Sequence, residues 1–134
     1  MKKIILTFLL LFVGVAAFAQ TTTLQATTVE NTEHKQRAEF MTSQMEALIT
    51  DMKPKQKIAI NELNERYFEK EIPLARRMAN VTNPQREVKL NDLNARLHQE
   101  YKKRMKENLS SSQYTLFTQN LESLLVGVKN EFGE

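Results

Sequence analysis

NLSSSQYTLFTQNLESLLVGV, residues 108–128, opens with a helix start that can be read residue by residue. Ser110 is placed as an N-cap, and the side chain of Gln113, three positions on, reaches back to the Ser110 backbone N–H. Together they satisfy two of the donors that a helix start leaves without partners. Leu109, just before the cap, is then one half of a hydrophobic staple against Tyr114. Behind the cap, Tyr114, Phe117, Leu121, Leu124 and Val128 recur three or four residues apart, which is one apolar face of a helix. Much of the remaining chain reads as partner surface for that face.

A weaker copy of the same start occurs 57 residues earlier. Met52-Lys53-Pro54-Lys55-Gln56 aligns with Leu109-Ser110-Ser111-Ser112-Gln113: an apolar residue, a cap position, two variable residues, then Gln. Pro54 stands at the first helical position, where its missing N–H costs nothing. Lys53 lacks the hydroxyl that makes Ser110 a good cap.

The pair resembles the twin LTxxQ motifs of the Spy/CpxP family of small periplasmic helical proteins. The second copy, L-S-x-x-Q, is close, whereas the first, M-K-x-x-Q, keeps only the frame. The likeness spans Glu46 to Glu122, most of the chain beyond its leader. It implies a helical-hairpin protein, often dimeric, whose curved surface holds partly unfolded clients without ATP or which takes part in envelope-stress signalling. In that setting the motif residues Gln56, Leu109, Ser110 and Gln113 shape the fold rather than touch the client.

Residues 1–19 read as a cleaved secretory signal peptide. Lys2 and Lys3 form a charged start, Ile4 to Val15 is almost wholly apolar, and Ala17-Phe18-Ala19 supplies a small-x-small cleavage site. The apolar run is shorter than the roughly 20 residues that span a bilayer, so no stable membrane anchor is expected after cleavage. The expected product is exported, soluble and periplasmic. Residues 20–33 are Thr-rich, with Leu24 and Val29 as the bulky apolar residues, and read as a flexible leader. Residues 34–134 form a single helical domain. With no cysteine in the chain, disulfides and lipid attachment at a cysteine are excluded.

The formal net charge of +3 falls to +1 once Lys2 and Lys3 leave with the signal. Its distribution is uneven: Arg66 to Lys106 holds 11 basic and 5 acidic residues, while the segments on either side are acidic. A basic middle between acidic ends favours anionic surfaces or head-to-tail charge pairing. A solvated helix face accounts for the same charges more simply.

The periodicity predicts four helices and no strand. The first is expected over His34 to Asp51, with Met41, Met45, Leu48 and Met52 in register. The second runs from Pro54 towards Asn80, with Ile60, Leu63, Tyr67, Leu74 and Met78 on one face and a kink or break at Pro73. Asn83 or Thr82 caps the third, which Pro84 opens and which runs to about Asn108 with Leu90, Leu93, Leu97, Tyr101 and Met105 on one side. The 108–128 stretch supplies the fourth. The fold class is therefore all-α, with long antiparallel hairpins forming an open cradle or a closed bundle. A homodimer is a further expectation.

No chemistry-bearing constellation stands out. His34 and His98 lie far from any nucleophile motif, and Glu62, Glu65 and Glu69 read as surface carboxylates. Three glycines make no phosphate loop. The chain reads as a non-enzyme without a cofactor, and nucleic acid is not an expected partner. Met41 and Met45, with Met52, offer soft thioethers to Cu(I), but methionines on a stripe are more often adaptable core or binding surface. The expected partners are unfolded or envelope proteins. Their expected surface combines Met41, Met45, Met52, Met78 and Met105 with a basic rim of Arg66, Lys70, Arg76, Arg77, Lys102, Lys103 and Arg104. One fixed regulatory partner is the alternative, with a heavy-metal sensor behind it.

The two motif copies should respond oppositely to repair and damage of the cap. Ser110→Ala is expected to lose about 1 kcal/mol of stability in denaturant titration, and Lys53→Ser to gain a few tenths.

Overall fold

The structure is a computed structural model of the chain, described here for residues 32–133. The expected signal peptide, and the leader as far as residue 31, lie outside the described residues. Four helices account for nearly all the rest, and no strand occurs among the described residues. They are α1, residues 32–48; α2, Pro54–Ala79; α3, Pro84–Asn108; and α4, Ser111–Phe132.

Thr32 and Glu33, expected in the leader, are already helical, and α1 stops at residue 48 rather than at Asp51. Proline at 54 disfavours a helical conformation for Lys53, which is extended at φ −77° and ψ 153°. The chain must therefore reverse within a few residues. It does so with the Ile49 N–H on Met45 O at 2.8 Å and the Met52 N–H on Ile49 O at 3.4 Å, which buries both Ile49 and Met52. Pro73 does not end α2, which continues to Ala79. Pro73 and Glu69 are both exposed, so water can serve the carbonyl whose helical bond is lost. At the next turn Asn83, not Thr82, is the cap: its side chain accepts from the N–H groups of Gln85 and Arg86. Gly133, at φ 88°, closes α4.

Short connections make each helix antiparallel to the next, and α4 returns to α1. Phe40 of α1 meets Phe132 of α4 edge-on at 5.8 Å, while Asp51, just beyond α1, meets Gln113 at the start of α4. The core draws Met41 and Met45 from α1, Ile60 and Phe68 from α2, Tyr101 and Met105 from α3, and Phe117 and Val128 from α4. Leu109 is buried and Tyr114 packs against the same core, the arrangement that a staple requires. Burial is not uniform. The four helices cover one another near the α1–α2 and α3–α4 loops, but from Pro73 to Leu93 only isolated side chains are even partly covered. The α2–α3 hairpin thus projects as an arm.

A polar cluster lies inside this core. Asn64 is fully buried, and its Nδ2 donates to Thr42 Oγ1 at 2.9 Å. Its Oδ1 accepts from the Tyr101 hydroxyl, which also lies 3.7 Å from Met41 Sδ. The Thr42 hydroxyl donates to Ala38 O at 2.7 Å and lies 3.1 Å from Asn61 Oδ1. One residue from each of α1, α2 and α3 is thereby satisfied by the others, as buried polar groups demand.

Burial raises the pKa of Tyr101 well above its ordinary value, with Tyr67 adding to the effect. Tyr67 is raised in the same way by burial and then by Glu71. Below about pH 10 both tyrosines are protonated in the folded and the unfolded chain, so their contribution is fully present. Above it the unfolded chain releases protons that the folded chain keeps, and stability falls by up to about 1.4 kcal/mol per pH unit for each tyrosine. Melting temperatures measured from pH 8 to 11 should drop steeply above 10, and Tyr67→Phe should flatten that drop.

Candidate protein-binding groove

The five motif residues converge at one end of the molecule. In the second copy the capping box is complete: the Gln113 N–H donates to Ser110 Oγ at 3.3 Å, and the Ser110 N–H donates to Gln113 Oε1 at 2.9 Å. In the first copy only the reciprocal half forms, from the Lys53 N–H to Gln56 Oε1 at 2.9 Å. An ammonium has no lone pair, so Lys53 cannot act as the acceptor. The two glutamines then bond to each other, Gln56 Nε2 donating to Gln113 Oε1 at 2.8 Å. Each also reaches the opposite loop. Gln56 donates to Asn108 O at 3.1 Å, and Gln113 donates to Asp51 O at 3.5 Å and Asp51 Oδ1 at 3.3 Å. Asp51 and Asn108 are themselves separated by the motif offset, so the clip has a local two-fold character. Met52 and Leu109 are buried beneath it.

The methionines divide. Met41, Met45 and Met105 are fully buried and Met52 nearly so, which corrects their expected place on a client surface. They are spaced to fill the bundle interior, and helical periodicity alone does not say whether an apolar face meets a neighbour or a ligand. The Met41 and Met45 sulfurs face Tyr101 and Asn64 within the core, so they form no exposed thioether pair. Met78 is partly covered. It lines a cleft of about 440 Å³ with Phe68, Ala75, Leu125 and Val126. At the floor of that cleft the Tyr67 hydroxyl lies 3.1 Å from His98 Nε2, while His98 Nδ1 lies 2.9 Å from Asn94 O. A carbonyl can only accept, so Nδ1 donates to it, and in the neutral ring Nε2 accepts from the Tyr67 hydroxyl.

The basic residues divide too. Arg66, Lys70 and Arg104 line a trough between α2 and α3 with Leu63, Leu97 and Glu100. Its continuation, about 480 Å³, is lined by Lys70, Arg77 and Arg96 over Pro73, Leu74, Leu93 and Leu97. From Arg66 to Arg77 this groove follows about three turns of α2, roughly 17 Å. Five cations stand along it against Glu69 and Glu100. Arg96 is paired with Asp92 at 3.0 Å, and Arg104 approaches Glu107 at 3.9 Å. Arg76, Lys102 and Lys103 are exposed but do not line the groove.

The groove's floor was not expected. Leu93 and Leu97 share one side of α3 with Tyr101 and Met105, as their spacing predicts, yet Leu93 is 49 % exposed while Tyr101 and Met105 are buried. The available signal was length. The α2 and α3 segments are longer than α1, so their distal apolar residues outrun one of the helices that would cover them. Among the described residues, no helix is long and apolar enough to cross a membrane.

Gln56→Leu and Gln113→Leu should each destabilise the fold, the latter by about 1 kcal/mol because the buried Gln113 amide loses its hydrogen bonds to Ser110, Gln56 and Asp51. A double-mutant cycle should return a coupling of at least about 0.5 kcal/mol. Comparison with known proteins finds no matching family model, no matching curated protein and no matching solved structure.

Proposed function

We propose that this chain is an exported periplasmic protein-binding module and not an enzyme. In this reading it acts as an ATP-independent chaperone or envelope-stress adaptor that holds unfolded or partner proteins on the α2–α3 groove. The observation that carries the reading is the groove itself, a floor of Leu63, Leu74, Leu93 and Leu97 between basic side chains. Apolar floors bind exposed side chains without regard to sequence, and a rim of one charge speeds encounter and biases the choice of partner. Exposed Val88 and Val126 extend the apolar surface elsewhere on the domain. The resemblance of the twin motifs to the Spy/CpxP family points the same way.

Light scattering of two unrelated aggregating proteins, with and without the purified exported chain and without nucleotide, tests the reading. Suppression of both near stoichiometric ratios is expected, with loss of suppression in the exposed-site variant Lys70→Glu/Arg77→Glu. No effect on either client would redirect the search to a single dedicated partner.

A further inference from the structure

A second surface on the same domain has the complementary character. Along α1 and α2, near the loop that joins them, Glu39, Glu46 and Glu62 surround Ile58, with Lys57 among them. Ile58 is 64 % exposed, on a helix whose other face is well packed. Lys57 is partly neutralised by Glu46 at 3.9 Å, which leaves the face acidic.

The α2–α3 groove offers the reverse pattern, an apolar floor inside a basic rim. Arg66, Lys70 and Arg77 have no carboxylate within the 4.0 Å of an ion pair among the described residues. An apolar knob with a carboxylate excess around it and an apolar trough with a cation excess along it therefore stand on one chain. Both lie on α2, at Ile58 and Glu62 and at Lys70 to Arg77, but they open against different neighbours, α1 and α3.

We infer that the Ile58 face of one copy docks into the α2–α3 groove of another, head to tail. Ile58 enters the floor formed by Leu74, Leu93 and Leu97, and Glu62 with Glu39 meets Lys70 and Arg77. The contact is heterologous: each copy uses one surface as donor and a different one as acceptor, so association leaves a vacant surface at both ends and grows into chains unless the rotation between copies closes a ring. A groove three turns long makes a small interface, below about 1,200 Å², which belongs to the weak, transient class and depends on salt. The inference rests on the groove's being a protein-binding surface. It adds that the chain's own acidic face competes with clients for it.

Sedimentation velocity of the purified exported chain gives the test. At about 0.05 M salt the mean mass should rise continuously with concentration, and about 0.5 M salt should return it to monomer. Two variants at exposed positions separate the surfaces: Lys70→Glu/Arg77→Glu destroys the groove, and Ile58→Lys/Glu62→Lys destroys the face. Each alone should be monomeric with an unchanged helical circular dichroism spectrum. Mixed in equal amounts they should form dimers and nothing larger, because only one intact groove and one intact face meet per pair. Variants that fail to pair on mixing would overturn the inference, as would a wild-type dimer indifferent to both variants. A wild-type chain that stays monomeric while the groove variant loses aggregation suppression would also overturn it, and would assign the groove to foreign clients alone.

Discussion

The glutamine pair is the constraint on which the rest of the arrangement depends. Gln56 and Gln113 each close the start of their own helix, bond to one another, and reach the loop on the opposite side. Helix starts expose donors, and a loop buried against another loop exposes carbonyls; both are costly without partners. Two primary amides answer these needs at once because each carries an acceptor and two donors. With the loops pinned, α1–α2 and α3–α4 meet at a fixed end, and the buried Asn64–Tyr101 contact then sets how α2 and α3 sit along each other.

From that fixed end the helices run out to unequal effect. Near the loops all four contribute to one core, but beyond Ile72 in α2 and before Tyr101 in α3 the cover is only partial. An apolar stripe continued beyond its partners becomes a surface. Its leucines remain at helical spacing, while the flanking positions carry the arginines and lysines that keep such a surface soluble. The groove is thus what remains of a core pattern when the covering layer stops.

The helix starts were the most readable part of the fold. Ser110 with Gln113, Pro54 and Asn83-Pro84 each act through local backbone chemistry, and local chemistry survives in a single sequence. Each copy's box was therefore expected as built, including the missing half at Lys53. The partnership between the two glutamines was not, because nothing in five residues reveals which loop lies opposite. The same distinction separates the methionines from the basic residues. Met41, Met45 and Met105 have the spacing of a stripe, and only tertiary contact shows that the stripe faces inward. Arg66, Lys70, Arg77 and Arg104 were expected on a surface and do share a groove, since charge excludes them from the core whatever the topology. Of the kink or break that Pro73 predicts, the break does not occur, because a proline on the wet side of a helix loses a bond that water can replace.

The turn at Val81–Asn83 has one more consequence. It joins the α1–α2 hairpin to the α3–α4 hairpin at the end remote from their glutamine clip. The two hairpins are in effect tethered partners, and a tether this short turns their docking into an intramolecular event with an effective concentration in the millimolar range or above. Contacts too weak to hold two separate chains together at dilution suffice when the partners cannot diffuse apart. The arm that presents the groove is also the leash that keeps the domain closed. A protease that cut its tip would convert a concentration-independent fold into a dissociable pair.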